Sequence, residues 1–240
     1  MQTFSITDTG RMRTANQDYI FCQDKEIGSF PNLFIVADGM GGHNAGDTAS
    51  RMCVAEVVSQ IQKSTEITPI GIFEQAVAAA NEKVYQTSNE DPAYFGMGTT
   101  IVAAMVLGKM VYIVNVGDSR LYVCKETLSQ VTVDHSLVEE MVQSGKLQKE
   151  EMRTHPNKNI ITRALGTNPE VKADCFEIEV EEGDVLLLCS DGLSNMLEDD
   201  IIEKIIEENK DDMKAAGEKL VKEANEAGGK DNISVVLIRV

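Results

Sequence analysis

Leu33-Phe34-Ile35-Val36-Ala37-Asp38-Gly39-Met40-Gly41-Gly42-His43 is an unbroken apolar run that ends on an acid, a cluster of glycines and a histidine. Five β-branched or apolar residues with glycines after them read as a strand. The glycines at 39, 41 and 42 predict a sharp turn and the approach of a carbonyl to an ion with no Cβ in the way. The same arrangement returns at Val185-Leu186-Leu187-Leu188-Cys189-Ser190-Asp191-Gly192. It has weaker echoes in Asn16-Gln17-Asp18, Val116-Gly117-Asp118-Ser119 and Gly228-Gly229-Lys230-Asp231-Asn232. A single Asp-Gly pair is usually a turn. Five aspartates at or beside the ends of apolar runs predict carboxylates converging from separate strands on shared cations.

Thr100 to Leu107, Val111 to Val116, Leu121 to Cys124 and Ser234 to Val240 also read as strands. Val54, Val57, Val58 and Ile61 fall at helical spacing, as do Phe73, Ala76, Val77, Ala80 and Val84, and later Met213, Ala216, Leu220 and Ala224. These stripes face a core. Strands and helices do not alternate as in a doubly wound sheet, so the expected class is α+β: two mainly antiparallel sheets packed face to face, with helices outside. Gly117-Asp118, between two strand-like runs, reads as a hairpin turn. The polar stretch from His135 to Arg163, with Gly145 and Pro156, reads as a mobile flap carrying two of the three histidines.

Composition narrows the function. The formal charge of -17 argues against nucleic acid or an anionic membrane as the main partner. Apolar runs are too short to cross a bilayer, and Met1-Gln2-Thr3-Phe4 shows no secretion signal, so a cytoplasmic protein is expected. Five cysteines without a Cys-x-x-Cys pair suit reduced, buried thiols. At 240 residues the chain could form one large domain or two small ones, and no Pro- or Ser-rich linker divides it.

Oxygen-only ligands favour Mg²⁺ or Mn²⁺ over zinc. Such a pair of ions acidifies a bridging water and stabilises a phosphoryl group under attack. Arg13 could offer its fork to two phosphate oxygens, although alone it would read as a surface arginine. His43 could protonate a leaving alkoxide, or could simply cap or face solvent. Asn16 and Asn232 read as turn or supporting residues. The positions six beyond each cysteine are Gly28, Ser59, Gln130, Glu181 and Asn195, none of them arginine, which argues against a cysteine phosphatase. Neither a Gly-x-x-x-x-Gly-Lys-Ser/Thr loop nor a Gly-x-Ser-x-Gly elbow occurs.

These residues, with Arg13-Thr14-Ala15-Asn16-Gln17-Asp18, Gly98-Thr99-Thr100, Val116-Gly117-Asp118-Ser119-Arg120, Ile161-Thr162-Arg163-Ala164-Leu165-Gly166 and Lys230-Asp231-Asn232, resemble as an ordered set the metal-dependent protein serine/threonine phosphatases of type 2C, in their compact bacterial form. The resemblance implies a single catalytic domain over residues 1–240, a four-layer α-β-β-α sandwich with the metals at one end. It implies that Asp38 bridges two core ions, that the Gly39 carbonyl binds the second, and that Asp191 and Asp231 complete the first. Asp18 would act near the second ion, and Asp118 with Asp191 would hold a third. Arg13 would bind the phosphate. In other branches the acid histidine directly follows the Asp-Gly pair, where this chain has Met40. The flap would span about 144–163.

The expected reaction is attack of a metal-bridging hydroxide on phosphoserine or phosphothreonine in proteins, opposing a Ser/Thr kinase and its substrates. A monomer is expected. A catalytically silent phosphoprotein-binding module and a metal-dependent nuclease are the rival readings.

Overall fold

The computed structural model describes residues 1–42 and 45–240. His43 lies outside the described residues. Two antiparallel sheets stack face to face. The first holds β1 (Gln2–Asp8), β11 (Ile233–Arg239), β10 (Val185–Cys189), β7 (Arg120–Cys124) and β8 (Leu128–Gln130), in that order. The second holds β2 (Asp18–Gln23), β3 (Leu33–Met40), β5 (Ile101–Leu107), β6 (Met110–Val116) and β9 (Asp174–Glu179), with the short β4 (Gly98–Thr99) paired to the end of β3.

The continuous apolar runs have a simple cause. Side chains alternate across a strand, and interior strands here are buried on both faces. Phe34 and Val36 of β3 meet Leu186 and Leu188 of β10 and Val236 and Ile238 of β11 between the sheets. On the opposite face, Leu33, Ile35 and Ala37 pack under α1 (Ala45–Lys63) and α2 (Pro69–Glu90). Val185, Leu187 and Cys189, with Val235 and Leu237, pack under α5 (Asp199–Glu208) and α6 (Met213–Glu226). The result is the expected four-layer α+β sandwich.

Local chemistry sets the helix starts, as where Ser136 caps the short α3 (Leu137–Gln143) by accepting from the Glu139 N–H. Thr68 caps α2 by accepting from the Gly71 N–H, with Pro69 in the first turn, and Asp212 accepts from the Lys214 and Ala215 N–H groups at the head of α6. All five cysteines are free. Among the described residues no helix is long and apolar enough to cross a membrane.

Two turn expectations are corrected. Gly117-Asp118 does not close a hairpin, because β6 pairs with β5 and β9 while β7 pairs with β10 and β8. The chain instead crosses between sheets at a corner. Gly117 adopts φ +109, and an added Cβ would lie 2.5 Å from Thr100 Cγ2. His135, assigned above to the flap, is buried and fastens this corner: its Nδ1 accepts from the Gly117 N–H (2.9 Å), and its own N–H donates to the Gly117 carbonyl (3.0 Å). Nor does the chain turn at Gly39, since β3 runs on to Met40 through pairing of Gly39 with Thr99 and Met40 with Gly98. Glycine is required there by close approach. A Cβ at 39 would stand 2.0 Å from the Gly46 carbonyl oxygen and 2.6 Å from that of Gln17.

Candidate metal centre

Asp18 opens β2 and lies directly opposite Asp38 in the β2–β3 register. Its Oδ2 accepts from Ser190 Oγ and Ser234 Oγ, both at 2.7 Å, which ties the second sheet to the ends of β10 and β11 in the first. Asp38 is held by its backbone. Its N–H donates to Thr100 Oγ1 (3.0 Å), and its carbonyl accepts from the Thr100 N–H (2.8 Å) and Thr99 Oγ1 (2.9 Å). Asp191 is the first residue of the single-turn α4 (Asp191–Ser194), not part of a second Asp-Gly turn, and its carboxylate lies within hydrogen-bonding reach of Asp38. Asp118 arrives from the corner between β6 and β7.

The five acids therefore gather at one end of the sandwich, and electrostatics binds them into a set. Burial, followed by repulsion from Asp18, Asp191, Asp118 and Asp231, raises the Asp38 pKa well above the usual carboxylate range. Burial is also the main cause at Asp18, pushed up to about 7, and at Asp191, pushed up to about 6 with repulsion from Asp231 next. Asp118 is raised by burial and then by Asp191.

One oxygen of each of three carboxylates, Oδ1 of Asp18, Asp118 and Asp191, is buried with no hydrogen-bond partner. Buried polar atoms are normally satisfied, so three acceptors without a protein partner in one acidic patch fit a site for a cation. A purely oxygen donor set suits a hard divalent ion.

Asp231 behaves differently. Its Oδ1 accepts from the Asn232 N–H (2.9 Å) and its Oδ2 from Arg13 Nη2 (2.6 Å). Arg13, 51% exposed, thus spends its guanidinium on an expected metal ligand, and that contact leads the causes that raise its pKa. Among the described residues no three acidic, histidine or cysteine side chains form a finished ion cage. Asp38 and Asp191 meet, while Asp231 joins them through its field and is engaged by Arg13.

The supporting residues are informative. Asn232 donates to the Thr9 and Ala15 carbonyls and accepts from the Gln17 N–H, pinning the Arg13 loop to β11. Asn16 Oδ1 accepts from the Asp18 N–H, a turn contact. Both match their expected supporting roles. Ser190, Ser234 and the hydroxyl of Thr100 are supporting residues that the sequence alone does not single out. Ser190 and Thr100 lie inside the quoted motifs, which was the only available signal, and Ser234 reads from sequence merely as a strand residue.

The comparisons decide the family. A family model described as Protein phosphatase 2C matches residues 10–237, a span that holds Arg13 and all five aspartates. The chain belongs to the protein phosphatase 2C family. The serine/threonine phosphatase stp of Listeria monocytogenes is 39% identical over 242 residues, covering 97% of this chain and 93% of the relative. The serine/threonine phosphatase structure from S. agalactiae superposes with a TM-score of 0.90 at 36% identity, covering 100% of this chain and 99% of that one. The catalytic domain of the serine threonine protein phosphatase PstP, in complex with two manganese ions, superposes with a TM-score of 0.85 at 31% identity, covering 98% and 96%. The type 2C family is metal-dependent, and this chain is a protein phosphatase of that type.

Proposed function

We propose that this type 2C phosphatase hydrolyses phosphoserine and phosphothreonine in proteins, using two Mn²⁺ or Mg²⁺ ions and a weaker third. The observation that carries the reading is the trio of orphaned, buried Oδ1 atoms on Asp18, Asp118 and Asp191 beside the Asp38–Asp191 contact. Asp38, Asp191 and Asp231 would hold the first ion, Asp38 and the Gly39 carbonyl the second with Asp18 nearby, and Asp118 with Asp191 the third. When bound, the ions acidify water for in-line attack and offset the charge of the phosphoryl group.

The chain's own residues do the positioning. Thr99 and Thr100 fix the Asp38 backbone. Ser190 and Ser234 hold one oxygen of Asp18 and leave the other free to face a cation. Arg13 grips Asp231 through one nitrogen of its guanidinium. Asp231 would hold the first ion, and the Arg13 fork, reaching over it, would then be available to two oxygens of the substrate phosphate. His43 is assigned to protonate the leaving alkoxide.

The substrates are phosphorylated proteins, including a Ser/Thr kinase and the proteins it modifies. The enzyme acts as a cytoplasmic monomer, a single catalytic domain with a flap at about 144–163. The test is phosphate release from a phosphothreonine peptide with and without Mn²⁺. Release that requires the ion and disappears in Asp38→Ala supports the reading, and release that persists in excess chelator overturns it.

A further inference from the structure

The segment 144–163 is fastened to the rest of the molecule by Arg153, which sits in the 3-10 helix Lys149–Thr154. Arg153 Nη1 donates to the Ser194 carbonyl (2.9 Å), Nη2 donates to the Leu197 carbonyl (3.1 Å) with a longer contact to that of Asn195 (3.4 Å), and Nε pairs with Glu198 (2.9 Å). These carbonyls close the end of α4, where a helix leaves acceptors without internal partners. A forked cation is well shaped to satisfy several of them at once.

One turn away, α4 begins with Asp191. The Asn195 N–H donates to the Asp191 carbonyl (2.7 Å), and Asn195 Nδ2 donates to Asp191 Oδ2 (2.9 Å). A four-residue helix has little stability of its own, so its geometry depends on what holds its ends. The same Arg153 borders a cavity of about 40 Å³ that Asp118, Asp191, Asn195 and Lys158 also line. The orphaned Oδ1 atoms of Asp118 and Asp191 belong to residues of that wall.

We propose that Arg153 is a positioning residue. By clamping the carbonyls of Ser194, Asn195 and Leu197 it fixes Asn195, and through Asn195 it aims the Asp191 carboxylate toward Asp38 and Asp118. The seat of the flap is thereby coupled to the affinity of the centre for its cations. This rests on the reading of Asp191 as a metal ligand.

The experiment is Mn²⁺ titration calorimetry on the full chain without substrate, together with hydrogen exchange over 144–163 and the Mn²⁺ dependence of phosphopeptide hydrolysis. Arg153→Ala should speed exchange in the segment, weaken Mn²⁺ binding about tenfold, and raise the Mn²⁺ needed for half-maximal rate by the same factor, with kcat recovered at saturating ion. Arg153→Lys, which keeps the charge but cannot reach the carbonyls as a fork, should fall between. Asn195→Ala should weaken Mn²⁺ binding while leaving exchange in the segment unchanged, and should add little to Arg153→Ala in the double variant. Glu198→Ala should bind Mn²⁺ as the parent does.

A purely structural role for Arg153 predicts a lower unfolding temperature with an unaltered Mn²⁺ isotherm, and that result overturns the proposal. Full restoration by Arg153→Lys overturns it as well. If Arg153→Ala does not fold, Arg153→Lys and Asn195→Ala decide the matter. A parent protein that binds no Mn²⁺ instead sinks the metal reading itself.

Discussion

Removing divalent cations should make the stability of this protein fall as pH rises from about 5 to about 8, the reverse of ordinary acid denaturation. The cause is the acidic cluster. Burial and neighbouring carboxylates push Asp18 up to about 7 and Asp191 up to about 6, from an unperturbed 3.8. A carboxyl whose pKa is higher in the folded chain than in the unfolded one binds its proton more tightly when folded. Its stabilisation is complete below about pH 4 and is lost as pH rises through the folded value. For Asp18, moving from 3.8 to about 7 corresponds to roughly 4 kcal/mol at 1.36 kcal/mol per pH unit, of which the interval from about pH 5 to 8 carries roughly 3 kcal/mol. Because the two carboxyls titrate as neighbours, that figure sets the scale for the cluster rather than for each member. In a chain of this length it amounts to about 10 °C in unfolding temperature. The assay is thermal unfolding followed by circular dichroism in chelator and in Mn²⁺ across the pH range. Chelated protein should lose stability toward alkaline pH, Mn²⁺ should flatten the profile, and Asp18→Asn should flatten it without the ion. A chelated protein as stable at pH 8 as at pH 5, or coincident curves with and without Mn²⁺, would refute the reasoning.

Other outcomes follow from single side chains. Asp38→Ala should reduce phosphopeptide hydrolysis about 1000-fold, since it removes the carboxylate at the middle of the cluster, yet should raise the unfolding temperature of the chelated protein at neutral pH by relieving repulsion. Arg13→Ala should lower kcat/KM by about 10- to 100-fold, the loss of one charge-assisted contact to phosphate, with phosphopeptide kinetics as the check. Gly39→Ala drives a Cβ to 2.0 Å from the Gly46 carbonyl oxygen, and urea unfolding should register a loss of about 3 kcal/mol. A loss within error of zero would mean that β3 and the head of α1 separate freely.

The strands legible in the sequence were β3, β5, β6, β7, β10 and β11, all interior to their sheets. Each is buried on both faces and so leaves an unbroken apolar run. The four edge strands, β1, β2, β8 and β9, carry no such run. Their residues are mostly half-buried or exposed, as in Asp174–Glu179, and only pairing with a distant neighbour makes them strands. The same limit explains Gly117-Asp118, where local spacing could not reveal that the flanking strands choose partners in different sheets.

At the site, acids at the ends of apolar runs were visible because burying a carboxylate is costly and its position there is conspicuous. What those acids touch was not visible. The grip of Arg13 on Asp231, the two serines on Asp18 and the clamp of Arg153 on α4 join residues from 41 to 218 positions apart. No local pattern encodes such pairings.

The central claim is that Asp18, Asp38, Asp118, Asp191 and Asp231 form one cation-binding cluster. Anomalous scattering from crystals grown with Mn²⁺ tests it most directly. Two strong manganese peaks should flank the Asp38 carboxylate, with Asp191 and Asp231 on one and the Gly39 carbonyl on the other. Crystals with manganese present in solution but no peak within coordination distance of Asp38 would contradict the account.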